Sequence, residues 1–127
     1  MGITQVTAHI TNLDGLKPGY EALFLVDTGA IHCLAPKDEL QKAGIKPEGK
    51  AAYELADGQA VEFEYGFARI SFLGNETIVK IIFGPEKVEP ILGAVTLEDV
   101  GIGVDPVTRT LKKLPAISLK KIMLKNR

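Results

Sequence analysis

The 127-residue sequence has the length of one ordinary domain, so we expect a single domain over residues 1–127 and one functional site. Apolar residues make up 46% and charged residues 24%, and the formal net charge is -1, which excludes a mostly disordered chain and gives no sign of a nucleic-acid partner. Cys33 is the single cysteine, so no internal disulfide forms. His9, His32 and Cys33 lack the spacing of metal ligands, and we expect no metal and no cofactor.

The amino-terminal residues do not follow the pattern of a targeting segment, which needs a basic patch followed by an apolar core. The longest apolar runs are also too short to span a bilayer. We therefore expect a cytoplasmic protein with no membrane partner.

The first half of the chain alternates short extended segments with turns. Residues 3–11 are predicted to form a strand that ends at the polar turn 12–15. Residues 20–26 end in a continuous apolar run, which is typical of a strand buried on both faces. The sequence Asp27-Thr28-Gly29 stops this strand, and residues 31–34 resume an extended pattern.

A short helix is predicted next. Pro36 suits a first helical position, residues 37–42 have helical composition, and Gly44 suits a left-handed cap.

Two hairpins and a final extended segment complete the predicted elements. Asp57-Gly58 joins residues 53–56 to residues 59–65, and both turn positions are expected to take positive φ. The later predicted elements are a hairpin of 67–73 and 76–83 with the turn Gly74-Asn75, the apolar pair Ile91-Leu92 before Gly93, a helix through 96–100 and an extended segment 103–111. Short strands with closely spaced turns predict an all-β barrel or sandwich with one or two short helices.

Asp27 is unusual because it follows an apolar strand, where a buried carboxylate costs free energy unless something compensates it. One interpretation is a plain turn, in which the Asp side chain caps its own backbone and Gly29 takes positive φ. The other is an acid kept for chemistry. The local sequence alone leaves both open.

The segment from Phe24 to Ala30 resembles the active-site strand and loop of retropepsin-like (retroviral-type) aspartic peptidases, which carry an apolar strand, Asp-Thr/Ser-Gly and then Ala or Ser. Three more features follow in that family's order. Leu34-Ala35-Pro36 before a short helix resembles the segment after the catalytic loop in prokaryotic and retrotransposon members, and the Asp57-Gly58 hairpin lies at the place of the flap. Ile91-Leu92-Gly93 resembles the family's hydrophobic-hydrophobic-Gly motif, which packs behind the catalytic loop in those proteins. The sequence is therefore similar to a prokaryotic-like, single-domain member.

The resemblance implies a closed retropepsin-like β-barrel and a homodimeric aspartic endopeptidase that acts on polypeptide substrates. It implies catalytic roles for Asp27, Thr28 and Gly29, one set per subunit. It also implies substrate-binding roles for the following residues: Ala30, Ile31, Ala56, Asp57, Gly58 and Gln59. An alternative keeps the fold without turnover, as a dimerisation or peptide-binding module.

The sequence departs from the family pattern after the catalytic triplet. Ile31 and His32 stand where retroviral members have acidic residues that bind the substrate backbone, so substrate contacts are expected to differ there. Ala94 replaces the Arg or Asp common in relatives, which removes a charged contact that helps to hold some of their dimers.

The carboxy-terminal residues 112–127 carry basic side chains and no acid. We interpret them as a solvated tail or as a strand of the dimer interface. A nucleic-acid-binding barrel would need an aromatic-lined face, which the sequence does not indicate.

Overall fold

The computed structural model describes residues 4–105 and 107–114. Within them the chain forms β1 (Gln5–Thr11), β2 (Tyr20–Val26), β3 (Cys33–Pro36), α1 (Lys37–Lys42), β4 (Gly49–Glu54), β5 (Ala60–Phe72), β6 (Asn75–Gly84), β7 (Ile91–Leu92), α2 (Ala94–Asp99), β8 (Ile102–Val104) and β9 (Leu111–Lys113).

Six of these strands close into a barrel. Their order is β1-β2-β7-β3-β6-β5, and β5 pairs back onto β1, while β4 extends the sheet beyond β5. The β2–β7 and β3–β6 pairs are parallel, and the other pairs are antiparallel. The predicted all-β barrel with two short helices is therefore confirmed. Closure leaves the barrel without exposed edges between these six strands.

The barrel interior follows from the alternation of side chains along the strands. In β1, Val6, Ala8 and Ile10 are buried, and the residues between them face outwards. Phe24 from β2 and Ile81 from β6 lie fully buried in the same apolar cluster. A register slip of one residue would turn each of these sets outwards, so the core fixes the pairing.

The strand β2 has the predicted bounds, but the prediction that both of its faces are buried is wrong. Phe24 is fully buried, whereas Leu23 on the opposite face is 55% exposed. The reason is that the chain wraps the barrel around one face of this strand and leaves the other face open. An apolar run of this length does not by itself show which case applies.

The strand β5 is one continuous strand where the sequence predicted two. Gly66, at the predicted break, lies buried in the middle of it, and a Cβ there would lie 2.5 Å from the carbonyl oxygen of Lys46. This glycine therefore allows a close approach of two backbones and does not end the strand. The turn that follows β5 is also shifted by one residue from the prediction: Leu73 and Gly74 take positive φ, of 50° and 76°, and Asn75 begins β6.

The Asp57-Gly58 hairpin is confirmed, with a correction to its turn. Only Gly58 takes positive φ, of 89°. The Leu55 N–H donates to the Gln59 carbonyl at 2.8 Å, and the Gly58 N–H donates to the Leu55 carbonyl at 2.9 Å. A longer connection with one left-handed glycine replaces the predicted two-residue turn.

The two helices lie close to their predicted positions. The helix α1 has the predicted bounds, Gly44 has the expected positive φ of 80°, and Pro36 is the N-cap at the end of β3 instead of the first helical residue. The helix α2 begins at Ala94, two residues before the predicted start.

The predicted extended segment 103–111 is wrong, because the chain turns back on itself there. The strands β8 and β9 pair antiparallel, and the Asp105 carboxylate accepts hydrogen bonds from the N–H groups of Val107 and Thr108 at 2.9 and 3.1 Å. Most of the predicted tail or interface strand at 112–127 lies outside the described residues.

Candidate active site

Asp27 follows the last residue of β2 and is half-buried. Its N–H donates to the carbonyl of Leu92 in β7 at 3.1 Å, which continues the parallel β2–β7 pairing by one bond. The backbone of this acid is therefore held by the barrel itself.

The loop after Asp27 folds back onto its side chain. The Gly29 N–H donates to Asp27 Oδ1 at 2.9 Å, and the Ala30 N–H donates to the Asp27 carbonyl at 3.1 Å. A Cβ at Gly29 would lie 3.2 Å from the same carboxylate oxygen, so a side chain there would crowd the acid. The plain-turn interpretation is therefore confirmed for the Asp27 side chain, which caps its own backbone, and wrong for Gly29, which does not take positive φ. This hydrogen bond orients the carboxylate, and the described hydrogen bonds of the side chain involve only the one oxygen, Oδ1.

The segment from β7 into α2 supports the loop from behind, as the sequence predicted for Ile91-Leu92-Gly93. The N–H groups of Ala94 and Val95 donate to the carbonyls of Ala30 and Ile31 at 2.8 and 3.2 Å. A Cβ on Gly93 would lie 2.6 Å from the backbone of both Ile31 and His32. Two segments that are distant in the sequence thus meet at backbone distance, and the loop cannot shift without disturbing α2.

A buried polar contact lies under the same loop. Cys33 is fully buried, and its Sγ lies 3.0 Å from the Oγ1 of Thr96, a residue that is only 1% exposed. Burial raises the pKa of the Cys33 thiol. The hydrogen bonds of the thiol with Thr96 and with the Gly93 backbone lower its pKa, but their effect is smaller than that of burial. The thiol is therefore a packing and hydrogen-bonding group in the folded protein.

A groove of about 490 Å³ runs between this loop and the β4–β5 hairpin, and its lining is mainly apolar. The loop contributes residues 29–32, and the hairpin contributes Tyr53, Glu54, Leu55 and Phe63. Leu34, Ile82 and Ile91 form the floor. Its volume and its mainly apolar lining lie within the range of pockets that bind ligands.

The comparisons with known proteins give the fold a precedent. The EIAV protease complexed with the inhibitor HBY-793 matches with a TM-score of 0.61 and 17% identity, over 79% of this chain and 89% of that chain. The Simian Foamy Virus (mac) protease matches with a TM-score of 0.52 and 13% identity, over 74% of this chain and 91% of that chain. The foamy viral protease-reverse transcriptase in complex with RNA/DNA hybrid matches with a TM-score of 0.54 and 16% identity, over 75% of this chain and 11% of that chain.

This chain has the retropepsin fold. No protein-family model matches the sequence, and no curated protein matches it. The likeness at these identities concerns the fold, and the similarity to prokaryotic members stays a prediction.

Within this retropepsin fold, the structure brings some of the predicted site residues to the groove and leaves others outside it. Gly29, Ala30 and Ile31 line the groove, and Asp27 lies at the start of the same loop. Thr28 is exposed. The hairpin residues predicted to bind substrate, 56–59, are exposed and form the tip, beyond the lining residue Leu55.

Sequence reasoning missed most of the groove floor and the hairpin wall. The sequence favours cross-strand packing for Tyr53 and Tyr65. The ring of Tyr53 does lie 6.4 Å from that of Phe63 across β4 and β5, but Tyr53 and Phe63 also line the groove. Burial raises the pKa of Tyr53, and the nearby Tyr65 raises it further by electrostatic repulsion. The alternation along these strands was a usable signal, because it places Tyr53 and Phe63 on one face.

The surroundings of His32, another residue of the groove, favour its neutral form. Partial burial, together with the nearby charge of Lys80, lowers the pKa of His32. His32 lines the groove immediately after Ile31.

Residues 4–105 and 107–114 contain no group of three or more His, Cys, Asp or Glu side chains placed to hold a metal ion. The same residues include no helix with the length and apolar character needed to cross a membrane.

Proposed function

We propose that this chain is one subunit of a homodimeric aspartic endopeptidase, with Asp27 of each subunit forming a catalytic dyad. The observation that carries the proposal is the fixed Asp27 carboxylate, held at 2.9 Å by the Gly29 N–H, on a loop that forms one wall of a peptide-sized groove. The retropepsin fold shared with viral proteases supports the same assignment.

The chemistry needs two carboxylates in different protonation states. One carboxylate, ionised, takes a proton from water as the water attacks the peptide carbonyl, and the other, protonated, hydrogen-bonds the carbonyl oxygen. Two acids in contact do not both ionise, because like charges at that distance repel, and the resulting pKa values belong to the pair. One Asp27 alone therefore performs half of the reaction.

A second copy of the chain would supply the second acid. The sequence contains a single Asp-Thr-Gly, and a twofold axis brings two identical loops to one point. Ile31, in that loop, is 64% exposed in one chain, and in the proposed dimer a bound peptide or the partner would cover it. In the proposed dimer Thr28 donates across the axis, and Gly29 orients the carboxylate.

The groove would hold the substrate as an extended strand. Its main chain would bond to the loop at Ala30 and Ile31 and to the hairpin, and alternate side chains would enter the groove. The hairpin tip, formed by Ala56, Asp57, Gly58 and Gln59, would close over the bound peptide and exclude water other than the attacking molecule.

The test is cleavage of a diverse peptide mixture across pH by the purified protein and by Asp27→Asn. We expect the substitution to lower the cleavage rate by about 10²- to 10⁴-fold, the usual contribution of a positioned acid–base group. Asp14→Asn is a matched control, because Asp14 also accepts a hydrogen bond from the N–H two residues later, at 2.8 Å, but lies in an exposed turn. Cleavage that persists in Asp27→Asn would remove the assignment.

Sedimentation tests the assembly separately. We expect the active protein to sediment as a dimer, and a strict monomer that still cleaves peptides would contradict the proposal. The alternative of a peptide-binding module is favoured if the dimer binds peptides in the groove and cleaves none, because the groove of a single chain is already formed without the second acid.

A further inference from the structure

His32 lines the groove, and Lys80 in β6 lies next to the groove lining without being part of it. In the parallel β3–β6 pair, Cys33 faces Ile81 and Leu34 faces Ile82, so the residue before β3, His32, approaches the segment of β6 that contains Lys80. Alternate residues share a face of a strand, which puts Lys80 on the same face of β6 as the groove residue Ile82. The effect of the Lys80 charge on the pKa of His32 agrees with this placement.

The charge of Lys80 is positioned but not neutralised. Its Nζ lies 4.1 Å from the centroid of the Tyr65 ring, a contact that orients the ammonium group without removing its charge. In the described part of the chain, the ion pairs join other residues: His9 with Glu21, Lys37 with Glu64, and Arg69 with Glu76. Lys80 thus retains hydrogen-bond donors for an external carboxylate.

The opposite wall has the opposite charge. Glu54, on the hairpin, lines the same groove and is exposed. An acidic ligand group would be repelled from the hairpin wall and attracted to the β3–β6 end, so these charges would orient a ligand that carries an acidic group.

We infer that His32 and Lys80 form a subsite that selects an acidic side chain, Asp or Glu, on one flank of the bound peptide. The identity of the ligand as a peptide rests on the proposed function. An extended peptide presents every second side chain to the floor. A carboxylate there would accept hydrogen bonds from Lys80 Nζ and from the imidazole N–H of His32, with Ile82 reducing the access of water.

The experiment measures binding, so that it does not depend on turnover. Fluorescent peptides that carry Glu, Gln or Lys at each position in turn are titrated into Asp27→Asn at low salt. We expect one position at which Glu binds roughly three- to tenfold more tightly than Gln, the range of a partly exposed charge-assisted bond. High salt should reduce the difference, because exposed charges are screened.

Variants in the same Asp27→Asn protein locate the effect. Lys80→Gln should remove the preference for Glu, and Lys80→Glu should reverse it in favour of Lys. Glu54→Gln, a change of a groove charge on the other wall, should leave or strengthen the preference. Lys42→Gln, on the exposed surface of α1, is the matched lysine control and should change nothing.

The possible outcomes separate this inference from the proposed function. A peptide that binds with no position favouring Glu, or a Glu preference that survives Lys80→Gln, overturns the subsite and leaves the peptidase assignment intact. Absence of binding by every peptide also overturns the subsite, and cleavage by the unsubstituted protein then decides the proposed function by itself.

Discussion

The loop 27–32 and the β4–β5 hairpin form opposite walls of one groove, but the loop and the tip of the hairpin are anchored differently. The loop exchanges backbone hydrogen bonds with β7 and α2, and Gly93 presses against it at backbone distance. The described hydrogen bonds of the tip stay within residues 55–59, and these residues are all exposed.

This difference in anchoring separates a wall that can hold a reacting group in a fixed position from a segment that can open and close over a ligand. A reacting group needs a fixed position, because small displacements of such groups are costly to the rate. A segment that admits and encloses a ligand must open, and few buried contacts make opening inexpensive. The described contacts assign the first property to the loop and the second to the hairpin.

Gly93→Ala tests the fixed wall and should have the largest effect. The φ of −87° and ψ of 171° at Gly93 suit any residue, so the cost is steric: the new Cβ would lie 2.6 Å from the backbone of Ile31 and His32. We expect a loss of about 1–3 kcal/mol in the free energy of unfolding, measured by denaturant titration. Displacing the loop should also reduce peptide cleavage, by about 10²-fold.

The control for that variant is Gly103→Ala, whose Cβ would have the side chain of Leu114 as its nearest described neighbour, at 3.3 Å. A movable side chain can give way, so this change should be mild. Equal effects of the two substitutions would contradict the rigid-wall interpretation.

Gly58→Ala and Gly74→Ala compare the two hairpins. Both glycines have positive φ, of 89° and 76°, and a Cβ at either meets nothing within 4 Å. Each substitution should therefore cost about 1–2 kcal/mol from backbone strain alone. Only Gly58→Ala should change the kcat/KM for peptides, because Gly58 lies at the tip beside the groove. If Gly74→Ala lowers activity as much, the tip has no special role.

Thr96→Val tests the buried contact beneath the loop. The substitution removes the hydroxyl that lies 3.0 Å from Cys33 Sγ, and we expect a loss of about 1 kcal/mol in thermal or denaturant unfolding. Thr7→Val, at an exposed position in β1, controls for the change of side chain and should be close to neutral. A stable Thr96→Val would mean that packing alone holds α2 against β3.

His32→Gln should have the smallest effect, a change in how the free energy of unfolding depends on pH. Burial and Lys80 lower the pKa of His32 from 6.5, so the folded state resists protonation more than the unfolded chain does. Stability is then complete above the unfolded pKa and falls as the pH drops below 6.5 towards the folded pKa. The side chain is largely solvated, so the loss should be less than about 1 kcal/mol.

The measurement is the free energy of unfolding from about pH 7 to about pH 5, where histidine titrates. The unsubstituted protein should lose more stability over this interval than His32→Gln does. If the free energies of unfolding of the two proteins change equally with pH, the surroundings do not lower the pKa of His32.

Much of the fold was predictable from local patterns. The bounds of β2 and α1, the Asp57-Gly58 hairpin and the packing of Ile91-Leu92-Gly93 behind the loop all agree with the sequence-based predictions. Each depends on neighbours along the chain, on turn chemistry or on a known motif, which are visible without coordinates.

Two of the errors share a physical origin, because the break predicted at Gly66 and the burial predicted for Leu23 both depend on what lies opposite in space. The straight segment predicted at 103–111 is a different error, because local hydrogen bonds to the Asp105 carboxylate form the turn there. Gly66 continues β5 because the Lys46 carbonyl approaches it, and Leu23 is exposed because the barrel closes on the other face. Local sequence carries no record of these distant partners.

An acid after an apolar strand, with a glycine two residues later whose N–H can reach it, is already visible in the sequence. The surroundings of that acid depend on the tertiary structure, which brings Leu34, Ile82 and Ile91 together in the groove and pairs β3 with β6. The reason is that hydrogen bonding between neighbouring residues is local, whereas the pairing of β3 with β6 and β7 is set by closure of the whole barrel.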